Sequence, residues 1–239
     1  MGDFSRKLRL AFLFSIGLLC HSQAGALTLS EVRTEARQLD LDTGTSRRRF
    51  SDARINAWIN EAHRLAILEA RPIVRSGEIQ LAIGTTYYNL PSDFLSMSRV
   101  SLDYDQLYEI TPEALDKESR WPTVGALPTH YLIDFASRTK VGVYPYPSDS
   151  SSTGTLRYQY FAQATDLSAD SDVPFNNLTE LKPYHYRLAY YAAAQMAAID
   201  GKGALAMFYF SQFRSMVEQL KTMAKDRPSY RPAAIGRRE

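Results

Sequence analysis

The sequence predicts an α+β fold: a helical bundle with an antiparallel β block inserted between an N-terminal and a C-terminal helix pair. Three observations carry this. Apolar residues recur at helical spacing between 50 and 70, the period switches to two over 77–165, and helical spacing returns after Pro183. The 239 residues are enough for one large domain, and 45% hydrophobic with 23% charged residues is an ordinary globular composition.

The elements follow in order. Thr28 or Ser30 can cap a helix over 29–39, with Val32, Ala36 and Leu39 on one side. A polar, Gly-containing connection ends in Arg47, Arg48 and Arg49. The helix over 50–70 comes next, with Ser51 as N-cap and Asp52 in its first turn. Its apolar stripe holds Ile55, Trp58, Ile59, Ala62, Leu65 and Ala66, and Pro72 stops it. This stripe needs partners elsewhere in the chain.

From Gly77, Ile79, Leu81 and Ile83 alternate with Glu78, Gln80 and Ala82, and a second strand follows at 87–90 after Gly84-Thr85. Residues 99–104 and 106–110 read as a hairpin turning near Asp103–Asp105. Thr111 and Pro112 begin a short helix that ends near Lys117. Further strands are expected at 131–135, 140–144 and 155–162. The C-terminal pair spans 183–200 and 204–225, separated by Gly201-Lys202-Gly203. The first carries Leu188, Tyr191, Ala192, Gln195 and Ile199 on one stripe, with an alanine run for close helix contact. The second puts Leu205, Phe208, Tyr209, Met216, Leu220 and Met223 on one face. The expected bundle core is therefore Ile55, Trp58, Ile59, Leu188, Tyr191, Phe208 and Leu220.

At both ends the composition changes. Arg6, Lys7 and Arg9 precede an apolar run from Leu10 to Cys20 and small residues near Ala24 and Ala26, the pattern of a secretory signal. The run is about half the roughly twenty residues that span a bilayer. Residues 1–26 are read as a signal peptide or a mis-assigned leader, 27–225 as one domain, and 226–239 as a flexible, Pro- and Arg-containing arm.

Charge and chemistry are both quiet. The formal charge is +2; removing the three basic and one acidic residues of 1–26 from 28 and 26 leaves 25 of each. A broadly basic nucleic-acid surface is excluded. Cys20 is the only cysteine, so no disulfide closes within the chain. His63, His130 and His185 have no partner ligand at i+4, and no phosphate loop, nucleophile elbow or zinc-helix motif is present. Asp103 and Asp105 could hold a cation but suit turn geometry better. Trp121 and the VYPYP tyrosines are read as packing before ligand platform. Arg47–Arg49 read as a solvated connection before a phosphate contact. No catalytic residue, metal or cofactor is expected.

Several stretches in succession resemble the head–tail adaptor (connector) proteins of tailed bacteriophages and prophages. They are FSDARINAWINEAHRLAILEAR, then IGTTYYNLPSDFLSMSRV, LYEITPEALD, Trp121-Pro122 through Gly125 to Tyr131, VGVYPYP, and the C-terminal helix pair from Tyr186. Together they cover most of 27–225. The resemblance implies a structural, non-enzymatic protein of the virion, assembled in the host cytoplasm. It implies a ring, usually a dodecamer of this chain, between the portal protein and tail or stopper proteins, with DNA passing through the lumen without sequence-specific contact. The β insertion would touch tail components. The arm, through Arg227, Tyr230, Arg231, Arg237 and Arg238, would lodge on the portal. A near-neutral chain suits a pore in which DNA must slide. The leader suggests an alternative, an exported periplasmic or secreted non-enzymatic binding protein derived from such a gene. An enzyme ranks last.

Overall fold

Thr28 opens the first helix through a reciprocal cap. Its hydroxyl accepts the Glu31 N–H at 3.4 Å, and its own N–H donates to the Glu31 carboxylate at 2.7 Å. The computed structural model describes residues 25–42, 49–117, 127–134 and 138–225. Within them, five α-helices and two sheets form a mixed α+β fold. Helix α1 (Leu29–Leu39) buries Leu29, Val32 and Ala36. Helix α2 (Asp52–Ala70) starts at Ser51, whose hydroxyl accepts the Arg54 N–H at 3.3 Å, and stops at Arg71 in the left-handed region at φ 49°.

The strands are β1 (Val74–Gln80), β2 (Tyr87–Asn89), β3 (Phe94–Leu102), β4 (Asp105–Gln106) and β5 (Tyr108–Glu109). After the short helix α3 (Pro112–Lys117) come β6 (His130–Ile133), β7 (Lys140–Tyr144) and β8 (Thr155–Ala162). They sort into two four-stranded sheets, ordered β1-β8-β3-β4 and β2-β7-β6-β5. On β8, Leu156, Tyr158, Tyr160 and Ala162 point into the core and the residues between them are half-buried.

Three expectations are corrected here. The β block is not wholly antiparallel, because β5 runs parallel to β6, with Tyr108 opposite His130. The expected 106–110 strand divides at Leu107, whose N–H folds back to the Val100 carbonyl at 3.0 Å. Tyr108 then joins the other sheet, donating to the Thr129 carbonyl at 3.1 Å. The crossover through α3 is what a parallel pair requires. Second, β1 begins at Val74 and ends at Gln80, so Leu81 and Ile83 lie beyond it, and Ile83 is 58% exposed. Third, the helix expected from Pro183 is wound as 3-10 helix over Thr179–Arg187 and becomes α4 only at Leu188–Ile199. Pro183 lacks the N–H that an α-helical turn would use there.

Helix α4 buries Ala189, Ala192, Ala193 and Ala197 completely and contacts α1, α2 and α5 (Gly203–Lys225). Small side chains allow that close approach on several sides. One continuous apolar cluster runs from these helices into both sheets, reaching Val100 and Leu156 in one and Val141 and Val143 in the other. Among the described residues, no helix is long and apolar enough to cross a membrane.

Candidate interaction surfaces

Three helix ends meet in an ionic clamp. Arg37, on α1, binds Asp42 and Asp52 and donates to the Phe50 carbonyl at 2.9 Å. Asp42 also accepts the Arg49 N–H at 3.1 Å, and the Arg49 guanidinium pairs with Asp200 after α4. Lys202 reaches Asp200 at 3.0 Å and Asp40 at 3.2 Å, which keeps its ammonium protonated. The Asp40, Asp42 and Asp200 side chains are 1%, 3% and 2% exposed, so these charges depend on one another. Arg49, expected in a solvated connection, keeps an exposed side chain there and also ties that connection to the buried Asp200. Arg47 and Arg48 lie outside the described residues.

The segment between β8 and α4 is held from the side. The Asn60 amide brackets Leu167, accepting its N–H at 2.8 Å and donating to its carbonyl at 2.9 Å. Arg33 and Arg64 bind Asp170 and Asp166 on the same segment, at 2.9 Å and 2.8 Å. Beyond it, Phe175, Asn176 and Asn177 all have positive φ, and Phe175 is fully buried. Its N–H donates to His63 Nε2 at 2.8 Å, which fixes the tautomer of that ring, and its own ring lies edge-on to His63 at 4.9 Å. His185 sits 5.9 Å away on its other side, with Nδ1 against the Leu27 main chain. Burial pushes both histidines down to about 4, and for His63 the neighbouring His185 lowers it further. Both are neutral at physiological pH, and His63 acts as an internal acceptor. Among the described residues, no group of acidic, His or Cys side chains could hold a metal ion.

Of the expected core residues, Ile55, Ile59, Leu188 and Leu220 are fully buried, and Tyr191 is 5% exposed. Trp58 is half-buried, edge-on to Phe50 and beneath the Arg54 guanidinium. Phe208 corrects the expectation, being 45% exposed. Helix α5 buries Tyr209, Phe213, Met216, Val217 and Leu220. Phe208 is about 100° around the helix from Tyr209, so only one of that pair faces inward. Asp103 serves the hairpin turn, at φ 50° and accepting the Thr155 N–H at 3.1 Å. In VYPYP, Val143 and Tyr144 are buried and Tyr146 is half-buried. Trp121 and the arm residues Arg227, Tyr230, Arg231, Arg237 and Arg238 lie outside the described residues.

What faces solvent is more apolar than the interior clamps would require. Leu41 after α1, Ile199 at the end of α4, and Met207, Phe208 and Phe210 on α5 are exposed, as are Tyr87 and Tyr108 on the strands and Tyr104 in a hairpin turn. A family model for the SU10 adaptor protein matches residues 27–237. The chain belongs to that family, a phage head–tail adaptor family whose members work with other head and tail components in the virion. No curated protein matches the chain.

Proposed function

We propose that this chain is the ring-forming adaptor between portal and tail, with the packed helices as the ring wall and the two sheets turned toward tail components. The observation that carries this is family membership across 27–237, joined to a body that leaves apolar and aromatic side chains exposed on both its helices and its sheets. The chemistry is mechanical. Charge pairs hold the helix ends, so that the wall keeps its shape as DNA passes. The residues outside 1–26 balance at zero net charge, which favours a lumen that does not grip phosphate. The arm over 226–239 carries four arginines and two prolines and suits a segment that orders on a portal subunit. The partners are then the portal, tail or stopper proteins, and neighbouring copies of this chain.

Light scattering after size exclusion, on the chain alone and mixed with a candidate portal protein, tests this reading. A closed ring, or a monomer that becomes a ring on the portal, is the expected result. A monomer indifferent to the portal would overturn it.

A further inference from the structure

Among the described residues, the segment between β8 and α4 holds the only consecutive run of non-glycine residues in the left-handed region. Phe175, Asn176 and Asn177 have φ of 53°, 55° and 56°. Side chains disfavour that conformation, and a run of it persists only where the surroundings over-determine it.

What holds this run is a pair of buried histidines on either side of one ring. His63 takes the Phe175 N–H on Nε2, and the Phe175 ring lies between His63 and His185. Each histidine also keeps a buried nitrogen with no hydrogen-bond partner, Nδ1 on His63 and Nε2 on His185. The neutral rings suit these places and the charged rings do not. A proton added to His63 lands on Nε2, where it meets the Phe175 N–H head-on and removes that bond. On charged His185, the Nε2 N–H has no acceptor. The charged groups that face the two rings are Arg64 on α2, Asp166 in the segment and Lys182 in the 3-10 helix. Of these, Asp166 favours a charge on His63, but its side chain is 58% exposed and bound to Arg64.

We infer that residues 166–178 form an acid-released strap, which lifts from α1 and α2 when His63 and His185 take up protons while the rest of the fold stays closed. The other ties of the strap lie along the same seam. The Leu29 and Ser30 N–H groups donate to the Asp172 and Asp170 carbonyls at 2.7 Å and 3.1 Å, beside the Arg33, Asn60 and Arg64 contacts. Release therefore also frees the first turn of α1. The far ends of α1 and α2 are fastened by Arg37, Asp42, Arg49, Asp200 and Lys202, a clamp with no histidine in it. His130 is half-buried on β6, away from the seam. Acid thus acts at one place. The inference stands apart from the adaptor reading.

The test is hydrogen exchange on the full-length chain at pH 7 and pH 5, each amide taken relative to its intrinsic rate. Titration of His63 alone raises the open population about twentyfold between those values. Residues 166–178 and the Leu29 and Ser30 amides should therefore speed up by that factor or more, with β8 and α4 unchanged. His63→Gln keeps an acceptor for the Phe175 N–H and cannot titrate, so it should remove most of the increase, whereas His130→Gln should retain it. Equal acceleration across the chain would overturn the proposal by making the acid effect global. No acceleration in 166–178, or one that His63→Gln leaves unchanged, would overturn it as well. The histidine ring signals of the parent, followed by NMR, need no variant. Two rings should titrate below the ordinary range, in step with the exchange. Titration of all rings at the ordinary value, with 166–178 still closed, would overturn the proposal.

Discussion

His63 shows how a polar residue can be structural rather than chemical. It lies on α2 at a position that faces the core, and its Nε2 satisfies the N–H of a phenylalanine whose backbone is left-handed. An apolar residue there would leave that N–H buried and unpaired. The cost is an acid-sensitive interior. Around the imidazole stand Arg64 and His185, which disfavour its charge, and Asp166, which favours it, but burial dominates. The folded state takes up the proton only near 4, against an ordinary value of 6.5. The unfolded chain therefore binds more protons between those values, and stability falls as pH drops through that window. The share of His63 is on the order of 3 kcal/mol when fully developed. Melting temperatures between pH 7 and pH 4.5 should fall for the parent chain and fall less for His63→Gln, whose amide can still accept the Phe175 N–H. Identical slopes would show that His63 takes up its proton over the same pH range folded and unfolded, so that folding does not lower its affinity for it.

At the scale of elements, ties between segments matter more than the propensity of any one. The ends of α1, α2 and α4 are joined through Arg37, Asp42, Arg49, Asp200 and Lys202, most of them shielded from water. Removing one partner of such a buried set leaves a charge without compensation. Asp42→Ala should lower stability by about 3 kcal/mol. Asp170→Ala, which breaks the pair between Arg33 and an Asp170 side chain 67% exposed, should cost about 1 kcal/mol or less. Denaturant unfolding of the two variants, side by side, separates the cases. Equal losses would mean that the clamp is no stronger than a surface pair.

For the whole molecule the core joins the two kinds of element. One apolar cluster runs through helices and sheets, so the sheets are not a loosely hung appendage. The arm over 226–239 follows α5 in the sequence. Deleting it should leave the melting temperature of the chain unchanged and abolish binding to the portal. A truncated chain that still binds would move the portal contact to the described body, where the exposed Met207, Phe208 and Phe210 are the residues to test next.

Much of this was legible in the residues alone. Helix positions came from apolar spacing and from the Thr28 and Ser51 caps, which are local signals. The family likeness came from the succession of turn and packing motifs. Which of Phe208 and Tyr209 faces inward was not legible, because the two lie on adjacent helix faces and only a neighbouring element selects one. Nor were the parallel β5–β6 pair, the Asn60 bracket on Leu167 or the Arg49–Asp200 tie, which link residues far apart in the chain. Sequence determined the elements and their order, since capping and periodicity act over a few residues. Tertiary structure decided which helix residues face the core and which charges are buried, because both depend on what lies across the gap.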